Sequence, residues 1–114
     1  MSLDYARDQF AGAVRSLATG EAALQPRLQA AWTEHVGMVW EKPCLTVELL
    51  RDFRDMWRRY TAPSDDRTAT TLRDLDPEEV AGVVDETMSL LLRTTVAAAE
   101  AGEGTKLATL ADLA

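Results

Sequence analysis

Cysteine and histidine are almost missing from this chain: Cys44 and His35 are the only ones among its 114 residues. A single cysteine excludes an internal disulfide framework and any site built on several thiolates. One histidine cannot supply the two Glu-x-x-His pairs that a carboxylate-bridged di-iron bundle needs. No uninterrupted apolar run approaches the roughly 18 residues of a membrane-spanning helix. The opening Met1-Ser2-Leu3-Asp4 carries no basic segment ahead of an apolar one, so a cytoplasmic protein in a reducing compartment, without membrane attachment, is expected. The sequence has no Gly-x-x-x-x-Gly-Lys-Ser/Thr, Gly-x-Gly-x-x-Gly or Gly-x-Ser-x-Gly, which removes the usual means of cradling a phosphate or exposing a nucleophilic serine. Cations are scarce in one half only. Residues 61–114 hold four Lys/Arg against eleven acids, whereas residues 1–60 hold eight of each. The whole net charge of −7 therefore belongs to the second half. With a sequence pI near 4.6, direct nucleic-acid binding is not expected, because backbone affinity comes from Lys and Arg displacing counterions.

What is present is an ordinary globular composition, 46% hydrophobic and 27% charged, in a length that suggests one domain. At this size about two-thirds of the surface is buried on folding, enough for one modest core. Apolar residues recur at helical spacing in Leu3, Ala6, Phe10, Val14 and Leu17, with Ser2 placed as N-cap and Gly20 as the residue after the helix. A second period, Leu24, Leu28, Trp32, His35 and Val39, predicts a helix from about Ala22 to Val39, with Pro26 in its first turn and Lys42-Pro43 ending it. Thr46 is placed to cap a third helix bearing Leu49, Leu50, Phe53, Met56, Trp57 and Tyr60. Residues 62–66 read as a loop, and Thr68 to Leu75 as loop with at most one helical turn.

Asp76-Pro77-Glu78-Glu79 is the strongest local signal: an acidic N-cap, proline at the first helical position, and a glutamate completing a capping box. The helix it opens is expected to bury Val80, Val83, Val84, Thr87, Met88, Leu91 and Thr95 and to reach Ala101. Its portion from Thr94 onward should overhang the bundle or break. After Gly102-Glu103-Gly104, Thr105 is placed to cap a short last helix carrying Leu107, Leu110 and Leu113. The fold class is therefore all-α: a compact four-helix bundle-like domain over residues 1–101, with a glycine-hinged amphipathic C-terminal helix over 102–114.

The candidates for chemistry are few. His35 lies on an apolar helix stripe, and the adjacent Glu34 points about 100° away, so a core-edge histidine is favoured over a base or metal ligand. A Cys44–His35 nucleophile pair lacks supporting loop chemistry. Catalytic and metal-ligating residues are accordingly none, and no cofactor is called for. Arg51, Arg54 and Arg58 fall within about 60° of one another on the third helix. Asp52 and Asp55 flank them, so a salt-bridged solvent face competes with docking to an acidic surface. The acidic half, Asp85 and Glu86 included, reads as a solvated face or as a match for a basic partner. Trp40, at the end of the second helix, is the tryptophan expected to be exposed and so an anchor for a partner. Leu107, Leu110 and Leu113 suggest a segment that could lie in another protein's groove as well as on its own bundle.

The pattern Leu3-x-x-Ala6-Arg7-x-x-Phe10-x-x-Ala13-Val14-x-x-Leu17, then Leu24-Gln25-x-Arg27-Leu28 with Ala31 and His35, and the acidic helix start followed by Leu90 to Leu92, resembles a group of small all-helical bacterial proteins of unassigned function. The resemblance spans about residues 3–92. It implies an all-helical cytoplasmic protein loosely associated with mobile or defence-related genes, and brings no active site with it. Together these readings lead to a noncatalytic helical interaction module, an accessory or regulatory subunit of a bacterial complex. A protein partner is expected and a homo-oligomer stays open. The competing class is an acidic antitoxin-like or nucleic-acid-mimicking inhibitor that occupies a basic site. A third, an enzyme or ligand sensor built on His35, has the least behind it.

Overall fold

The first helical period forms α1, Leu3–Thr19, which buries Leu3, Ala6, Phe10, Ala13 and Leu17. The computed structural model describes residues 2–21, 23–61, 72 and 74–113; the loop expected over 62–66 and most of the stretch after it lie outside the described residues. Ser2 occupies the N-cap position of α1 without a side-chain capping bond. Gly20 closes α1 at φ −70°, so it is not there for left-handed freedom. A Cβ at Gly20 would collide with Arg27 Cδ, and the Arg27 guanidinium donates to the Leu17 carbonyl, one of the orphan acceptors at a helix end. Space for that arginine is what glycine provides.

The second period divides. α2 runs Leu24–Glu34, with Pro26 in its first turn, where a missing N–H costs nothing. His35 then leaves helical geometry at φ −127°, ψ −62°, and Val36–Glu41 continue as a 3-10 segment. Gly37 weakens the α-helix locally, and three residues per turn bring Val36 and Val39 to the same side, where both are buried. α1 and α2 are antiparallel, since Gly12 meets His35 and Gly20 meets Arg27. α3, Val47–Tyr60, buries Leu49, Leu50, Phe53, Met56 and Trp57 as its spacing predicts.

α4, Pro77–Glu100, begins with the expected capping box: Glu79 N–H donates to Asp76 Oδ1 at 2.8 Å, and Asp76 N–H to Glu79 Oε1 at 3.3 Å. Its buried face is Val80, Val83, Thr87, Leu90 and Thr94. This corrects the second half of the expected stripe: Met88 and Thr95 are exposed, and Val84 and Leu91 only half-buried. The expected overhang is also corrected. α4 continues unbroken past Thr94, which is fully buried, and Ala97 and Ala98 pack against the core. α1 packs along α4, and its small Ala6 and Ala13, both fully buried, permit close approach.

The three tryptophans belong to one aromatic cluster. Trp32 stacks on Trp57 with centroids 5.0 Å apart, and Phe53 meets Phe10, Trp40 and Trp57. Beyond α4 the chain turns at Gly102–Thr105 and then runs without regular structure through residue 109. Instead of a helix capped by Thr105, only one 3-10 turn forms, Leu110–Leu113. Thr105 Oγ1 accepts from Gly102 N–H, closing the glycine turn rather than opening a helix. The radius of gyration is 13.7 Å, against about 13.3 Å for a compact domain of this length.

Candidate functional site

Three surfaces bring together residues with something to offer a partner. One is a cleft of about 220 Å³ between the 3-10 segment and the C-terminal tail, bordered by Trp40, Cys44 and Leu110. The tail lies across it in cis. Ala108 is buried and its N–H donates to the Leu45 carbonyl at 2.8 Å, while Leu107 and Leu113 pack partly against the core. Asp112 steadies the last turn by accepting from Thr109 N–H at 2.7 Å, a bond that holds its carboxyl below the ordinary value. Of the three leucines, for which the sequence left open another protein's groove or their own bundle, Leu107 and Leu113 rest on the bundle and Leu110 stays exposed. A buried alanine, not a leucine, is the residue seated deepest.

Trp40 is corrected as well. It is half-buried, 4.8 Å from the Phe53 ring and 5.8 Å from Trp57, because the 3-10 geometry after Glu34 turns it inward. Cys44 Sγ sits under the cleft against the Val39 carbonyl, and burial pushes its thiol up to about 11, the opposite of an activated nucleophile. His35 is wedged against α1: a Cβ at Gly12 would lie 2.6 Å from its Nδ1. Among the described residues no three His, Cys, Asp or Glu side chains converge as a metal site would require.

The second surface is the groove between α3 and α4. Arg59 pairs with Glu86, and Arg93 with Asp52 at 2.7 Å. The two pairs run in opposite sequence order and show the helices to be antiparallel. Tyr60 Oη also donates to Glu86. Glu86 is therefore engaged within the chain by Arg59 of α3, while Arg93 of α4 answers an acid of α3 in return. Arg54 is turned inward beside Asp55 at 3.5 Å, which leaves Arg51 and Arg58 exposed on α3. The expected three-arginine strip is reduced to two.

The third surface was not anticipated from the sequence. Met88, Leu92 and Val96 are 45%, 65% and 57% exposed. They succeed one another four residues apart, so they form one stripe, and at about 100° per residue that stripe lies nearly opposite Val83, Thr87, Leu90 and Thr94. Ala81, Asp85, Thr95 and Ala99 share this outer face and are all exposed. The sequence signal was available: the second half of α4 carries apolar residues on two faces, with Arg93 and Glu100 its charged residues, the pattern of a helix covered on two sides. A search of protein-family models, of curated proteins and of solved structures returns no match to the chain.

Proposed function

We propose that this chain is a noncatalytic helical interaction module, and that it docks through the outer face of α4. The observation that carries the reading is the Met88–Leu92–Val96 stripe. Single exposed apolar residues are ordinary, but three in register on a helix whose other side already supplies the core are what helix docking uses. With the resemblance drawn from the sequence, the proposed role extends to an accessory or regulatory subunit of a bacterial complex. Among the described residues no helix is long and apolar enough to cross a membrane.

The acidic-inhibitor alternative draws less support, because Glu86 is engaged by Arg59 and Tyr60. Of the residues named for it, Asp85 stays exposed, and it sits on the apolar stripe. The test is site-specific photo-crosslinking in extract of the source organism. A photoreactive residue at Leu92 should yield a discrete adduct, and one at Arg58 should not; the reverse result would move the docking surface to α3.

A further inference from the structure

The outer face of α4 has a symmetry that selects its occupant. Ala81, Asp85, Met88, Leu92, Thr95 and Ala99 are all exposed and lie within about 80° of one another on the helix. Their spacing runs four, three, four, three, four, the heptad step that lets one helix pack along another at a crossing of about 20°. The spacing reads the same in both directions. Turned about its midpoint at residue 90, the seam sets Ala81 opposite Ala99, Asp85 opposite Thr95, and Met88 opposite Leu92.

Resting on the docking reading above, we infer that the partner of this seam is α4 of a second copy of the chain, packed antiparallel. In that register small meets small at both ends, which allows close approach. The two large apolar side chains interlock at the centre, twice over by symmetry. Each Asp85 carboxylate faces a Thr95 side chain, whose hydroxyl donates to the Leu91 carbonyl at 2.7 Å in the single chain and has to turn from it to reach the carboxylate. A parallel pairing would instead stack Asp85 on Asp85 and lose the match. The exposed Glu78 and Glu100 stand near the ends, where two copies bring like charges together. The association is therefore strengthened by salt, whereas a basic partner would be released by it. The seam is narrow compared with the roughly 800 Å² per partner of a standard interface, so the dimer is weak and concentration-dependent.

Sedimentation velocity from about 5 to about 500 µM, a span covering weak association, tests this at low and high salt. The expected result is a monomer–dimer equilibrium that shifts to dimer with salt. Leu92→Glu should weaken it about tenfold or more without changing the circular dichroism spectrum. Register is read by oxidising a mixture of Met88→Cys and Leu92→Cys chains, with native Cys44 kept because its buried thiol does not compete. Heterodisulfides should form in preference to homodisulfides. A chain that stays monomeric throughout, a dimer indifferent to Leu92→Glu, or dominant homodisulfides would overturn the proposal. If the chain is monomeric yet the crosslink at Leu92 to another protein persists, the second copy is refuted and the docking reading stands. If the crosslink is also missing, both fall.

Discussion

Cys44 shows how burial decides what a residue type does. Its thiol is pushed from 9.0 to about 11 chiefly by desolvation, so the folded chain holds the proton more tightly than the unfolded one. The sign follows from linkage: this contribution to stability is complete below about pH 9 and is lost as pH rises toward 11. At pH 8 the thiolate fraction should be about a hundredfold below that of an exposed cysteine. Labelling with a thiol reagent should accordingly be slow in the native chain and fast after unfolding; rapid native labelling would contradict the burial. Thr94 offers a second residue-scale outcome. It is fully buried and its Oγ1 finds no hydrogen-bond partner among the described residues, whereas Thr87 Oγ1 donates to the Val83 carbonyl at 2.8 Å. Thr94→Val keeps the shape and removes the orphan hydroxyl, so denaturant unfolding should show a gain of about 1 kcal/mol. The environments of both residues, like that of Trp40, depend on neighbours far away in sequence, which is why residue type and local period alone did not disclose them.

Local rules carry furthest at the scale of elements. The start of α4 was legible because every part of the signal lies within four residues, Asp76 to Glu79, and the capping box forms as those residues dictate. Asp76→Ala removes one reciprocal bond and a favourable charge at the helix N-terminus. Thermal or denaturant unfolding should show a loss of about 1 kcal/mol. The first helix and α3 were legible for the same reason, each having one apolar face and one polar face. Elsewhere the period was right and the geometry was not. Trp32 to Val39 keeps a helical spacing, yet Gly37 and the pull of Val36 and Val39 into one core favour a tighter 3-10 turn. In α4 two apolar faces compete, and periodicity cannot say which one α1 covers. The tail leucines are spaced by three, and three is also the step of a 3-10 turn; a segment of that length has too few bonds to sustain an α-helix by itself.

For the whole molecule, the charge asymmetry and the apolar asymmetry have separate meanings. The excess acid of the second half is used in part at home, in the Asp76 and Glu79 cap and in Glu86 bound by Arg59 and Tyr60. Such exposed pairs contribute only about 0.2–1 kcal/mol each, so they orient α3 against α4 more than they hold the fold together. The core does that, through the Phe10, Trp32, Trp40, Phe53 and Trp57 cluster and the α1–α4 contact. The Met88–Leu92–Val96 stripe has no part in either task. The central claim, that this outer face serves docking and not folding, is tested most directly by capturing bound protein from source extract with wild type and Leu92→Asp side by side, each first shown to melt at its own midpoint. The account predicts melting temperatures within a few degrees of each other, as for surface substitutions, and loss of the bound species with Leu92→Asp. Equal capture by both chains, or a collapse of the melting temperature in the variant, would contradict it.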